Sequence, residues 1–225
     1  MKFGVVVAAR TGSTRLPGKA LLPLGGKPMI LFLLERLRPS RLAERLILAT
    51  TTLPGDDRLA ETARSAGFEV FRGEPEDVVA RYAACAQAYD LEYVVRVTAD
   101  CPLLDAESLD WCLEQCREFG RFDLASTKRA FPVGLDYEIF RAESLRRIHE
   151  REPLSAEDRE HLTLYFYKRG ERFDVRRLQP PAHWPRTGRT FTVDTAEDYA
   201  ACVALVEGLE PGDRSALACL RRAVA

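Results

Sequence analysis

Residues 3–19 read Phe3-Gly4-Val5-Val6-Val7-Ala8-Ala9-Arg10-Thr11-Gly12-Ser13-Thr14-Arg15-Leu16-Pro17-Gly18-Lys19. The first six are a short, β-branched, apolar run without polar alternation, the pattern of a strand buried on both faces of a sheet. The chain then passes at once into a loop with two glycines, a proline and hydroxyl residues. Glycine lets backbone N–H groups approach a phosphate closely, and successive N–H groups form an anion-binding nest. Arg10, Arg15 and Lys19 place three cations within ten residues, which is the compensation a triphosphate needs. Arginine grips two phosphate oxygens at once, whereas lysine acts as a point charge. The loop is neither common glycine-rich phosphate motif. Five residues separate Gly12 from Gly18 and Ala20 follows Lys19, so it is not a Walker-type loop, and no Gly-x-Gly-x-x-Gly marks a dinucleotide site.

Outward from that loop, strand and helix alternate. Pro28 opens a helix to residue 38, since proline is tolerated in a first turn. Residues 46–51 read as a second strand and 56–66 as a helix stopped by Gly67. A short strand at 69–71 precedes a helix at 75–89 with Val78, Val79, Tyr82 and Ala86 on one face. Residues 93–97 form a fourth strand and 109–119 a helix. This rhythm predicts an α/β fold, a three-layer sandwich whose mostly parallel sheet is covered by helices on both faces. Ligands of such sheets bind beyond the carboxyl ends of the strands. The loop after Ala8 and the segment Thr98-Ala99-Asp100-Cys101-Pro102 are therefore expected to meet in one crevice.

The rhythm breaks after residue 123, with strands expected at 134–140 (isolated), 173–178 and 189–193, and helices at 142–150, 155–169, 195–207 and 213–222. Residues from about 120 to 180 read as an insertion beside the sheet of a single domain spanning 1–225. Apolar residues make up 46% and charged residues 30%, an ordinary soluble composition. A net charge of −1 argues against a broad nucleic-acid or anionic-membrane surface. No stretch approaches the ~20 apolar residues of a membrane span, and the N-terminal run is too short for a signal segment. The six cysteines form no Cys-x-x-Cys pair, and Cys112 and Cys116 lack a second ligand pair for zinc. They read as buried thiols, and the expected location is the reducing cytoplasm.

Magnesium prefers oxygen ligands and usually takes one or two carboxylates, substrate phosphates and waters. Asp100 and Asp194 stand at expected strand ends. Each also has a structural explanation: Asp100 as a turn residue before Cys101-Pro102, Asp194 as the neighbour of a capping box from Thr195 to Asp198. Beside a triphosphate loop, Mg2+ coordination is the stronger reading for both.

Residues 9–19, followed by Leu24-Gly25-Gly26-Lys27-Pro28-Met29-Ile30, resemble the opening of the sugar-acid cytidylyltransferases. That group includes the acylneuraminate and 3-deoxy-manno-octulosonate enzymes, and the pattern is most similar to the spore-coat polysaccharide biosynthesis protein F family. Arg96-Val97-Thr98-Ala99-Asp100-Cys101-Pro102-Leu103 resembles the family's strand-end motif, with Ala99 where glycine is frequent, and Val193-Asp194-Thr195-Ala196-Glu197-Asp198 resembles its C-terminal motif. The resemblance implies the nucleotide-diphospho-sugar transferase (Rossmann-like) fold, its mixed sheet carrying one antiparallel strand, and a homodimer paired through the insertion. It implies that residues 10–19 wrap the triphosphate of CTP, and that main-chain groups near Ala8 and Arg10 help read cytosine. The nucleotide set is then Ala8, Ala9, Arg10, Gly12, Ser13, Arg15, Lys19 and Thr98. Gly73 and Asp77 join it from a segment resembling the family's base and ribose region, although a helix N-terminus explains those letters equally well. Arg15, Lys19, Asp100 and Asp194 form the implied catalytic set, with Asp100 and Asp194 on the metal.

The insertion is expected to hold the acceptor through Asp136, Glu138, His161 and Tyr165. The last two are four apart and share a face if 155–169 is one helix. The implied reaction moves CMP from CTP to a sugar-acid hydroxyl with release of pyrophosphate, for surface polysaccharide. It needs positioning and charge neutralisation rather than a protein nucleophile. Three alternatives stay open: a nucleotide-sugar-dependent glycosyltransferase, although no Asp-x-Asp occurs in the chain; a nucleotidyltransferase using another nucleoside triphosphate; and a nucleotide sensor without turnover.

Overall fold

In the computed structural model of the chain, which describes residues 1–210 and 215–224, the N-terminal apolar run is strand β1 (Phe3–Ala8). Val5 and Val7 pack into one core and Val6 into the core on the opposite face. Both faces are covered, which is why the run lacks polar alternation. Two short strands, β2 (Pro23–Leu24) and β3 (Lys27–Pro28), pair antiparallel apart from the main sheet. Helix α1 (Met29–Leu37) follows with Pro28 at its N-cap, and six of its nine residues are buried. Then come β4 (Ala43–Thr51), α2 (Asp57–Ser65), β5 (Glu69–Gly73), α3 (Val78–Ala88), β6 (Tyr93–Thr98) and α4 (Ala106–Phe119). Gly67 closes the turn after α2 at φ 78°, a left-handed value that glycine adopts without strain.

The remaining elements are β7 (Leu124–Ser126), β8 (Glu138–Arg141), α5 (Ala142–Arg151), α6 (Ala156–Glu160), α7 (Leu164–Lys168), β9 (Val175–Arg177), α8 (Ala196–Glu207) and α9 (Ala216–Val224). The seven-stranded sheet runs β5-β4-β1-β6-β8-β7-β9. Strand β8 is antiparallel to both neighbours, and the other pairings are parallel. Helices cover both faces, so the fold is a three-layer α/β sandwich with a mostly parallel, mixed sheet. No helix among the described residues is long and apolar enough to cross a membrane. All six cysteines are buried.

Four expectations need correction. Residues 120–180 do not lie beside the sheet: β7, β8 and β9 all come from this stretch and extend it. The strand expected at 134–140 starts only at Glu138 and is not isolated, since it pairs on both sides. Before it the chain turns at Gly134, with φ 89° and an absent Cβ that would lie 2.5 Å from the Phe191 carbonyl carbon. Residues 189–193 form no strand. They run extended with Phe191 and Val193 buried, which mimics a strand pattern, but their backbone bonds single positions: Phe191 N–H to Val133 O and Val193 N–H to Asp100 O, both 2.8 Å. The helix expected at 155–169 is broken in two, because α6 ends at Glu160 and the chain turns through His161 before α7. The final helix begins at Ala216; the expected start at Asp213 lies outside the described residues.

Candidate functional site

Strands β1 and β6 are adjacent and end in register, Ala8 opposite Thr98. Their carboxyl ends therefore open together, and the loop after β1 arches over the gap. A buried carboxylate anchors that loop. Asp56 Oδ1 accepts the Thr11 N–H at 2.7 Å and lies 2.7 Å from the Thr11 hydroxyl, while Asp56 Oδ2 accepts the Thr51 hydroxyl. Burial alone would push the Asp56 pKa up, but the hydrogen bonds from Thr51 and Thr11 outweigh it and hold the group below its ordinary value. The loop then closes on itself through Ser13 N–H and Gly18 N–H, which donate to Thr11 O at 2.9 and 3.1 Å.

The cleft beneath has a volume of about 420 Å³, the size of a small-molecule site. Eight of the ten residues expected around a nucleotide line it: Ala8, Ala9, Arg10, Gly12, Ser13, Arg15, Lys19 and Thr98. Gly73 and Asp77 do not. Gly73 ends β5, where a Cβ would lie 2.8 Å from the Phe71 ring. Asp77 caps α3 by accepting the Ala80 N–H at 2.8 Å and pairs with Arg159.

Asp100 and Asp194, 94 residues apart in sequence, meet at the mouth of this cleft. The Val193 N–H bond to Asp100 O ties the two segments together. Lys19 Nζ donates to Val193 O at 2.8 Å and to Asp194 Oδ1 at 2.9 Å, and lies 3.6 Å from Asp100 Oδ2. Arg15 reaches Asp194 Oδ1 at 3.0 Å. Two carboxylates thus converge on one cationic point, with the Lys19 ammonium standing where a small cation would bridge them. No group of three or more His, Cys, Asp and Glu able to hold a metal exists among the described residues. A two-carboxylate site that leaves the other positions to phosphate and water fits magnesium rather than a metal needing an all-protein cage. Thr195 and Asp198 do form the expected capping box at α8; the Asp194 N–H donates to Asp198 at 3.1 Å, but the Asp194 carboxylate takes no part in the box.

A second cavity, about 180 Å³, shares Arg96, Thr98 and Asp100 with the first and is also lined by Lys128, Asp136 and Glu138. Glu138 is 2% exposed and is met by Arg96 and Lys128 at 3.0 Å and by the Tyr167 hydroxyl at 2.8 Å. Burial opposes its charge, but Arg96 and then Lys128 hold its pKa below the ordinary value. Burial pushes Asp136 the other way, up, against one N–H donated by Gly134 at 3.0 Å. His161 lies on the wall of the first cleft beside Glu160, which is 3.9 Å from Arg10. Tyr165 is not in either cavity. The break between α6 and α7 turns it into the core, where its hydroxyl donates to Glu152 at 2.7 Å.

Several wall residues went unnoticed in the sequence. Arg81 and Tyr82 of α3 line the cleft. Arg81 is nearly buried, donates to Glu74 O at 2.6 Å, and its Nε has no partner among the described residues. Tyr82 is wholly buried, its hydroxyl 3.2 Å from Val6 O, and burial pushes its pKa up. Their signal was an arginine on an otherwise apolar helix face. Arg96 sits where the two cavities join, and its signal was a lone charge inside the apolar strand Tyr93-Val94-Val95-Arg96-Val97.

A family model described as cytidylyltransferase matches residues 5–212. The chain belongs to the cytidylyltransferase family. A relative from Bacillus subtilis, the spore coat polysaccharide biosynthesis protein SpsF, is 32% identical over 209 residues, covering 90% of this chain and 85% of that protein. The solved structure of a cytidylyltransferase from Leptospira borgpetersenii superposes with a TM-score of 0.90 at 32% identity, covering 99% of this chain and 93% of that one. The structure of CMP:2-keto-3-deoxy-manno-octonic acid synthetase complexed with CTP aligns at TM-score 0.72 and 20% identity, covering 92% and 99% of the two chains. At that identity the likeness establishes a shared fold. This cytidylyltransferase therefore has the nucleotide-diphospho-sugar transferase fold, with the loop cations and the two aspartates gathered at the carboxyl edge of its sheet.

Proposed function

We propose that this cytidylyltransferase binds CTP in the larger cleft with Mg2+ and moves CMP to a hydroxyl of an ulosonic-type sugar acid held in the smaller cavity, releasing pyrophosphate. The observation that carries this reading is the meeting of Arg15 and Lys19 with Asp100 and Asp194 around one point, 2.9 to 3.6 Å from the Lys19 ammonium.

The chain's residues divide the work. Ala8, Ala9 and Arg10 line the inner end of the cleft and offer main-chain groups to the base. Gly12 offers its backbone N–H and Ser13 its hydroxyl to the phosphates, and Arg15 and Lys19 leave their carboxylate partners to neutralise the phosphate chain. Asp100 and Asp194 would hold Mg2+, which when bound supplies charge neutralisation at the phosphate oxygens. Thr98 and Asp100 border both cavities, so an acceptor beside Asp136, Glu138 and Arg96 lies next to the nucleotide. Its hydroxyl attacks the α-phosphorus in line as the bond to pyrophosphate breaks. His161, exposed on the cleft wall, is the nearest histidine to take the proton. Arg96 and Lys128, which line the smaller cavity, are the cations that can meet an acceptor carboxylate.

The SpsF relative's name supports a role in surface polysaccharide, and the family resemblance supports a cytoplasmic homodimer paired through residues 120–180. The test is pyrophosphate release from the four common nucleoside triphosphates, each with a panel of sugar acids and Mg2+. CTP with at least one ulosonic acid is the expected active pair. Release from another triphosphate, or from CTP only with a neutral sugar, would overturn the reading.

A further inference from the structure

A divalent cation and the Lys19 ammonium compete for one place. Nζ lies 2.9 Å from Asp194 Oδ1 and 3.6 Å from Asp100 Oδ2, and Val193 O accepts its third contact at 2.8 Å. Arg15 adds a second cation 3.0 Å from Asp194. The Lys19 side chain is 14% exposed and that of Asp194 24%, so water and salt weaken these contacts less than those of a surface pair. Before any ligand arrives, two carboxylates are already matched by two cations. A lone divalent ion added there brings two uncompensated positive charges into a cleft whose other cations include Arg81, while Arg10 faces Glu160 and Arg96 faces Glu138. Its bonds of about 2.1 Å to these oxygens leave no gap for an ammonium bridging the same pair. A triphosphate reverses the balance, because its oxygens draw Lys19 and Arg15 away and free both carboxylates.

We propose that Lys19, lodged between Asp100 and Asp194, bars divalent metal from the nucleotide-free enzyme, so that the site admits metal only with or after the nucleoside triphosphate. The inference rests on the reading of residues 10–19 as a polyphosphate loop. It gives Lys19 two successive partners, the carboxylates and then the phosphates, and imposes an order on assembly. Arg15 cannot do this alone: its side chain is 65% exposed, and Asp194 is its carboxylate partner. Because the ammonium holds the same two carboxylates that the metal needs, removing it must raise metal affinity even with no nucleotide present.

The probe is Mn2+, followed by its electron paramagnetic resonance signal in the full-length, nucleotide-free protein. Wild type is expected to bind Mn2+ weakly. Lys19→Met is expected to bind one Mn2+ at least about tenfold more tightly, within the ordinary range for coupled sites. Adding Asp194→Asn to Lys19→Met should abolish that gain and so locate it. Equal Mn2+ affinity in wild type and Lys19→Met, tight or weak, overturns the proposal, as does a gain that survives Asp194→Asn. Circular dichroism checks the fold. Should Lys19→Met fail to fold, wild type alone decides: Mn2+ bound by protein must appear on adding CTP beyond what CTP holds in solution, and Mn2+ retained equally without CTP overturns the barrier. CTP binding by wild type in the presence of Mg2+ separates the two readings. If CTP binds and Mn2+ affinity is insensitive to Lys19, only the barrier fails; if CTP does not bind, the nucleotide reading fails.

Discussion

Replacing Asp56 with alanine removes the acceptor for three hydrogen bonds: two from Thr11 and one from Thr51. Their fates differ. The Thr11 hydroxyl can turn to Gly55 O, 3.0 Å away, and Thr51 can rotate. The Thr11 N–H cannot turn and loses its partner. A hydrogen bond to a charged group contributes roughly 1.5–3 kcal/mol, and an unsatisfied donor costs about 1–3 kcal/mol. With the hydroxyls partly recovered, the expected loss is about 2–4 kcal/mol in urea unfolding at pH 7. The pH dependence gives an independent check. The folded-state pKa of Asp56 is depressed below its ordinary carboxylate value. Its stabilisation is thus fully present above the unfolded value and is lost as pH falls through the folded value. The gap between wild type and Asp56→Ala should therefore be widest near neutrality and shrink below pH ~4. Since the same bonds set where residues 11–18 sit, CTP affinity should fall as well, by about tenfold for each ~1.4 kcal/mol of loop order lost. A change in stability under about 0.5 kcal/mol, the size of an ordinary surface substitution, or a gap that grows on acidification, would refute the anchoring role.

Gly134→Ala should destabilise by about 1–3 kcal/mol, because the added Cβ meets the Phe191 backbone at 2.5 Å; thermal unfolding reads it, and an unchanged melting temperature contradicts the placement of 189–193. Glu138→Gln leaves Arg96 and Lys128 facing each other without their shared carboxylate, and should cost about 2–3 kcal/mol, less than a fully buried pair since Lys128 is half-exposed. As the Glu138 pKa is lowered in the fold, that loss too should fade as pH drops below the carboxylate range. Tyr165→Phe should leave pyrophosphate release unchanged, since its hydroxyl faces Glu152 away from both cavities; a raised acceptor KM would contradict this.

The fold was legible where physics is local. The β1 run, the Gly67 stop and the Thr195 capping box each follow from residue type and spacing, and the structure has all three. The convergence of Asp100 with the loop after β1 was legible because parallel strands must open their carboxyl ends on one side. What stayed hidden depends on partners far along the chain. Residues 189–193 alternate like a strand, yet their neighbours at Val133 and Asp100 are loop positions that offer only single bonds. Residues 155–169 look continuous, but α6, opened by its own Ser155–Asp158 capping box, ends at Glu160 with His161 as its C-cap, a stop that no local breaker announced. Asp56 read as a helix start, and its Thr11 partners lie 45 residues upstream. Gly73 and Asp77 carry letters that resemble the family's base and ribose region and that also serve local structure, Gly73 at the end of β5 and Asp77 as the cap of α3.

The most direct test of the central claim is a crystal structure with a non-hydrolysable CTP analogue and Mg2+. The account predicts the triphosphate against residues 10–19, Arg15 and Lys19 turned onto phosphate oxygens, and the metal held between Asp100 and Asp194. A nucleotide bound away from that loop, or a metal that touches neither aspartate, would contradict it.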